Sequence, residues 1–240
     1  MLVPRSERGI IRHKAEVYGK SRLGAPLEVW LPPNKQIEIL IMAGIHGDEP
    51  ETTVLLSTAF RALKPELLQS AVIIAVNPDG LARGMRGNAA GVDLNRNFPA
   101  TNWTSKAVEH RWRENDPQDV QLSPGEKPAS EPETQALLAL IKKIKPEAVI
   151  ALHGNLGWID DAARGPLGQW IARSCGLPLV DEPGYPTPGS FGSWGLENHQ
   201  AVITYELTSD SIEKHRERHE STLLTLLQGP AWQRMGPNFD

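Results

Sequence analysis

His46 and Glu49 stand three residues apart in the stretch IEILIMAGIHGDEPE, residues 37–51. An imidazole and a carboxylate together suit a zinc ion. Catalytic zinc sites take three protein ligands, two His and one Glu among the known sets, and leave a position for water. Spacing alone decides little, because His13 and Glu16 repeat it in a segment without the same surroundings. Around His46 the surroundings are informative. After Glu38 the chain is continuously apolar from Ile39 to Met42, as in a buried strand. Pro50 and Glu51 then suit the first turn of a helix, where a missing N–H costs nothing and a carboxylate faces the positive end of the dipole. The pair is expected on a strand-to-helix turn at the mouth of a sheet, where open α/β proteins hold their ligands. A polar turn with a hydrogen-bonded histidine is the alternative reading, and a distant third ligand separates the two.

Other residues have the types such a site needs. His153 follows the apolar run Ala148 to Leu152, again a histidine at a strand end. With His46 and Glu49 it completes a three-ligand set, although a lone histidine there is also a common core residue. Glu206 ends the apolar run Ala201 to Tyr205. A carboxylate at the end of a core strand is costly unless paired or functional. Beside a metal it is a general base; otherwise it is an edge carboxylate. The loop RGMRGNAAGVDLNRNFP, residues 83–99, presents Arg83, Arg86 and Arg96 with no adjacent acidic run. Such forked donors suit a carboxylate or an oxyanion, or else a solvated loop with surface ion pairs. The Gly/Pro-rich stretch EPGYPTPGSFGSW, residues 182–194, is a connector or a mobile lid carrying Tyr185.

The elements that must position these residues follow from hydrophobic periodicity. Met1 to Arg22 reads as an irregular arm, Leu27 to Leu31 as a strand closed by a turn at Pro32-Pro33-Asn34, and Ala71 to Val76 as another strand. Helices are expected from Glu51 to Leu63, with Val54, Leu55, Ala59, Phe60 and Leu63 inward, and from Ser130 to Lys145. The second opens on a capping box of Ser130 and Glu133. Further helices are expected over Leu167–Cys175 and Asp210–Gln228, the last with Leu223, Leu224 and Leu227 inward, and a short strand near Leu179. Gly80 to Ala129 shows no sustained periodicity, and a loop this long is functional or disordered. Apolar strands alternating with amphipathic helices predict an α/β fold whose sheet is covered by helices on both faces.

Composition limits the function classes. A chain of 240 residues with 40% hydrophobic residues fits one sizeable domain, 1–240, better than two small ones. With 25 basic and 29 acidic residues, a formal charge of −4 and no basic cluster, no nucleic-acid partner is expected. No apolar run approaches a membrane span, and MLVPRSERGIIRHK has no hydrophobic signal core, so the chain reads as cytoplasmic. The one cysteine, Cys175, excludes an internal disulfide framework.

Taken in order, HGDE (residues 46–49), GVDLNRNFP (residues 91–99), SEPET (residues 130–134), His153, Tyr185 and Glu206 resemble the zinc metallocarboxypeptidases of the carboxypeptidase A type. These motifs extend over nearly the whole chain. The resemblance implies a single catalytic domain with a mixed, mostly parallel twisted sheet, and one Zn2+ held by His46, Glu49 and His153. It implies that Asp93 orients the first histidine and that Arg86 polarises the scissile carbonyl, with Arg83 a nearby alternative. Asn95 and Arg96 would hold the substrate's terminal carboxylate, Tyr185 would close over the substrate, and Glu206 would be the general base. Beyond the tyrosine, Ser190 belongs to a small polar pocket, Gly189 to Gly195, with no visible charge partner for a substrate side chain. The strings GVDLNRNFPATNW, KPASEPETQAL and TPGSFGSW resemble compact bacterial members that cleave γ-D-glutamyl-meso-diaminopimelate bonds in small cell-wall peptides. A monomer or homodimer is expected. The rivals are an acyl-amino-acid hydrolase of the succinylglutamate desuccinylase and aspartoacylase group, a zinc-containing protein that binds murein peptides without cleaving them, and a structural α/β domain with accidental histidines.

Overall fold

The computed structural model describes residues 2–33, 36–113 and 116–229. The chain runs β1 (Glu16–Lys20), β2 (Pro26–Val29), β3 (Ile39–Met42), α1 (Pro50–Ala62), β4 (Ala71–Ile73), α2 (Pro78–Leu81), β5 (Val108–Arg113) and β6 (Asp116–Leu122). It continues through α3 (Pro132–Ile144), β7 (Ala148–Gly154), β8 (Ile159–Asp160), α4 (Pro166–Cys175), β9 (Leu179–Val180), α5 (Phe191–Glu197), β10 (Ala201–Leu207) and α6 (Ile212–Leu227). Six strands form the central sheet in the order β4-β3-β7-β10-β8-β9. All neighbours in it are parallel except β10 and β8. The fold is a single α/β domain with a mixed, mostly parallel sheet.

Strand alternation divides the core in two. Ile39 and Ile41 of β3, Ile150 and Leu152 of β7, and Ile203, Tyr205 and Leu207 of β10 face a layer that includes Leu55 and Phe60 of α1, Trp170 of α4 and Leu223 of α6. Leu40, Met42, Val149 and Ala151 face the opposite layer with Leu137 and Ile141 of α3 and Phe191 of α5. Helices therefore cover both faces, and each fully buried Leu, Ile or Phe contributes about 1.5–3 kcal/mol relative to exposure.

Local chemistry sets the helix ends. Proline occupies the first turn of α1, α3 and α4, where no N–H is missed. Gly176, at φ 69°, stops α4 in a left-handed conformation that glycine adopts without penalty. Ser190 and Ser211 cap α5 and α6 through their side chains.

Several expectations are corrected. The N-terminal arm contains β1, which pairs antiparallel with β2. The long segment after Gly80 contains the β5–β6 hairpin and a turn of 3-10 helix at Leu94–Arg96. The capping box does not form. Glu131 is the cap residue of α3, Ser130 Oγ donates to Glu131 Oε1 at 2.8 Å, and Glu133 Oε1 accepts from the Arg22 backbone N–H at 2.7 Å. In α1, Leu56 is buried while Val54 is exposed; in α6, Leu226 takes the inner position assigned to Leu224. Asn34 of the expected turn lies outside the described residues.

Candidate active site

The site lies where the strand order reverses. From β3 the chain steps outward to β4, then returns to the other side of β3 for β7 and β10. His46 follows β3 and His153 lies near the end of β7. Glu206 of β10 is the register partner of His153, so both side chains stand on the same sheet face. This crevice outside strand C-termini is the general ligand position of open α/β sheets.

Three donors converge there. His46 Nδ1 lies 2.8 Å from Glu49 Oε1 and 3.2 Å from His153 Nδ1, and His153 Nδ1 lies 3.3 Å from Glu49 Oε2. All three residues are buried. Tetrahedral zinc with ligands at about 2.0–2.2 Å needs donor atoms separated by roughly 3.3 Å, so the spacing fits the ion. His46, Glu49 and His153 are the only such group among the described residues.

A charged ring supports these donors. His46 Nε2 is 3.1 Å from Asp93 Oδ1, which fixes the ring's orientation. Arg86 Nε donates to Asp93 Oδ2 at 3.2 Å, and its NH1 donates to Glu49 Oε1 at 3.0 Å. Arg83 is directed elsewhere, donating to the Asp79 carbonyl at 2.9 Å. Burial favours the neutral forms of Glu49 and Asp93. Against it, the histidines hold Glu49 well below the usual carboxylate range, while His46 and Arg86 do the same for Asp93. Burial and Arg86 depress the His46 imidazole, but Glu49 and Asp93 outweigh them and lift it to about 9.

Glu206 differs from these paired groups. It is 8% exposed, and its Oε2 has no hydrogen-bond partner. Burial, followed by the Glu49 charge, pushes its carboxyl well above the ordinary range. Arg96 is 7% exposed; one guanidinium nitrogen donates to the Asn95 carbonyl at 2.8 Å, while its buried Nε has no partner. Asn95 Oδ1 accepts from the Phe191 N–H at 2.8 Å, which leaves its amide NH₂ to point away from α5. Tyr185 is half exposed, and burial and then Glu206 raise the pKa of its phenol, so the ring is electrostatically coupled to the site. Ser190 is committed to capping α5, accepting from the Ser193 N–H at 3.0 Å.

A family profile described as zinc carboxypeptidase matches residues 14–159. Murein peptide amidase A of Escherichia coli K12 is 46% identical over 228 residues, covering 94% of each chain. The chain belongs to the zinc carboxypeptidase family. The Vibrio campbellii murein peptide amidase A is 41% identical, covering 95% of this chain and 92% of that protein. The crystal structure of a murein-tripeptide amidase from Escherichia coli O157 superimposes with a TM-score of 0.91 at 45% identity, covering 95% of this chain and 97% of that one. The protein is a metallohydrolase whose cofactor is zinc, and His46, Glu49 and His153 are its candidate donor set.

In this zinc carboxypeptidase, sequence reasoning missed two buried asparagines. Asn97 donates to the carbonyls of Pro124 and Lys127 and to Ser130 Oγ, and accepts from the Glu131 N–H. Asn88 donates to Glu131 Oε2 at 2.7 Å and Glu133 Oε2 at 3.1 Å. Together they tie the arginine-bearing loop to the start of α3. No local signal disclosed these bonds, because their partners at Ser130, Glu131 and Glu133 come from a distant segment of the chain.

Proposed function

We propose that this zinc carboxypeptidase hydrolyses the γ-D-glutamyl-meso-diaminopimelate bond of small murein peptides, releasing the C-terminal residue. The observation that carries the chemistry is a pair of buried groups without partners: Glu206 Oε2, on the residue paired with His153, which suits a base, and Arg96 Nε, which suits an anion. Similarity to the murein peptide amidases over almost the whole chain supports the substrate.

Zinc, when bound, supplies a Lewis acid and lowers the pKa of water from 15.7 to about 7. Arg96 and the Asn95 amide dock the substrate's terminal carboxylate, which fixes the distance from chain end to scissile bond and makes the reaction exopeptidic. Glu206 takes the proton of the attacking water and hands it to the leaving amine. Arg86, whose Nε and NH1 hold Asp93 and Glu49, has further guanidinium N–H groups for the developing oxyanion. Asp93 keeps the His46 ring in orientation. Tyr185 closes over the bound peptide, and Ser190 contributes by fixing the start of α5.

The reading treats residues 1–240 as one catalytic domain, acting as a monomer or a homodimer. The reading places the work in the cytoplasm, with small cell-wall peptides as substrates. Among the described residues no helix is long and apolar enough to cross a membrane.

The test is hydrolysis of L-Ala-γ-D-Glu-meso-diaminopimelate followed by mass spectrometry, beside a conventional C-terminal peptide and an N-acyl amino acid. Release of free diaminopimelate is expected. Cleavage of only the conventional peptide would remove the murein assignment, and cleavage of only the acyl amino acid would favour the acyl-amino-acid hydrolases.

A further inference from the structure

The N-terminal arm ahead of β1 builds a basic cavity against two helices. Val3, 3% exposed, anchors the arm by donating its N–H to the Ala62 carbonyl at 2.9 Å. Arg8 Nε donates to the Val3 carbonyl at 2.8 Å, and Nη1 of Arg61 on α1 donates to the Arg8 carbonyl at 2.7 Å. These bonds hold the 3-10 turn Arg5–Glu7 close to α1, and Arg8 Nη1 reaches Glu220 of α6 at 3.6 Å. Between the three segments lies a cavity of about 310 Å³, lined by Arg5, Arg8, Gly9, Thr58, Arg61 and Arg216. Glu49 caps the start of α1 and Arg61 lies in its last turn, so the cavity is about 18 Å along the helix axis from the donor triad.

Four guanidiniums therefore share one space of ligand size. Arg8, Arg61 and Arg216 are half-buried, and Arg5 is exposed. Among the described residues, the only carboxylate within ion-pair distance of the four is Glu220, 3.6 Å from Arg8 Nη1 and 3.5 Å from Arg216 Nε. Both separations exceed the roughly 2.7–2.9 Å of a charge-assisted hydrogen bond. The buried Arg216 Nε accordingly makes no hydrogen bond. The Arg5 side chain makes no hydrogen bond or ion pair among the described residues. Arg61 spends Nε on the Ser57 carbonyl and Nη1 on that of Arg8, which leaves Nη2. An excess of positive charge is thus held in place by backbone bonds, and like charges so close repel unless an anion enters among them.

We propose that this cavity is a second ligand site, which binds a phosphate group, free or carried by a small ester, through Arg5, Arg8, Arg61 and Arg216. Each guanidinium fork matches two phosphate oxygens, and a doubly charged phosphate offsets most of the excess. A monocarboxylate brings half that charge and too few oxygens to engage the arginines together. Because the ligand touches the N-terminal arm, α1 and α6 at once, its binding fastens the arm and stabilises the folded chain.

The experiment is calorimetric titration of the zinc-loaded protein with inorganic phosphate, glucose 6-phosphate and acetate, at about 0.15 M salt so that diffuse surface charge is screened. One phosphate site per chain is expected with a Kd of about 1 mM or below, and acetate should bind at least about 10-fold more weakly. The tighter of the two phosphates tells whether the free ion or an ester is the ligand. Arg5→Gln and Arg216→Gln should each weaken phosphate by about 10-fold or more. Arg5 has no internal bond to lose, and unchanged zinc content and circular dichroism show that both variants are folded. Arg96→Gln, which alters the position assigned to the substrate's carboxylate, should leave phosphate affinity unchanged. No saturation up to about 10 mM phosphate, acetate binding as tightly, or wild-type affinity in both Arg5→Gln and Arg216→Gln would overturn the assignment. Loss of binding in Arg96→Gln alone would also overturn it, by moving the phosphate to the active site.

Discussion

Arg86 joins two tasks at the residue scale. It neutralises the buried carboxylates of Glu49 and Asp93, and in the proposed reaction its remaining N–H groups serve a substrate oxygen. Its neighbour Asp93 meets the donor set at His46, and in the proposed site it would act on the metal through that ring. Asp93→Asn should therefore weaken zinc affinity by about 10–100-fold, measured by chelator competition, with the fold intact. An affinity equal to wild type would show that Asp93 has no part in orienting the ligand. The same ring sets a proton balance. Because carboxylates on both sides lift His46 to about 9, its imidazole is protonated at pH 7 in the metal-free protein and must give up that proton to bind zinc. Calorimetric titration of zinc in two buffers of different ionisation enthalpy should report release of about one proton at pH 7. Release of none would contradict this electrostatic picture.

At the scale of elements, the site depends on how loops and helices are tied to the sheet. Asn97 is fully buried and bonds the end of the arginine loop to Pro124, Lys127 and the first turn of α3. Truncation to alanine leaves several buried groups unpaired, so Asn97→Ala should cost about 2–4 kcal/mol in urea unfolding. A loss below about 0.5 kcal/mol would mean that these bonds are replaced by water. Between β10 and α6, the Tyr205 hydroxyl is 2.8 Å from Nδ1 of the fully buried His219. Burial, then the charges of His215 and Arg218, depress the His219 pKa to about 4. The unfolded chain takes up this proton near pH 6.5 and the folded one only near 4. The contribution is therefore complete above about 6.5 and is lost as pH falls towards 4, amounting to as much as about 3 kcal/mol. Stability measured at pH 7.5 and 4.5 should fall less in His219→Gln than in wild type. An equal fall would exclude His219 as the source.

Across the whole molecule, what was legible in the sequence was what repeats or what ends a strand. His46, His153 and Glu206 were visible because apolar runs stop at them, and the structure brings all three to one face. The alternation of apolar runs and helical patterns likewise gave the helix-covered sheet. Short or two-faced elements were not legible. Strand β8 has only Ile159 and Asp160, too few residues for a periodicity, and its pairing with β10 depends on tertiary contacts. The β5–β6 hairpin was concealed because its strands, VEHRWR and DPQDVQL, are largely polar. The Ser130 capping box failed for a related reason: Pro132 starts the helix after Glu131, and Glu133 is drawn to the Arg22 backbone N–H instead of back to Ser130. Where competing partners come from distant segments, local spacing misassigns them.

The central claim is that a zinc site with His46, Glu49 and His153 works together with Glu206 as general base. The most direct measurement is kcat on the murein tripeptide for wild type and Glu206→Gln, with zinc content determined on the same samples. The predicted result is one zinc per chain in both proteins and a kcat lower by about 10²–10⁴-fold in the variant, the range for losing a general acid–base group. A fully zinc-loaded Glu206→Gln with wild-type kcat would contradict the account, because no role would remain for the buried carboxylate, paired in register with His153, whose Oε2 stands without a partner.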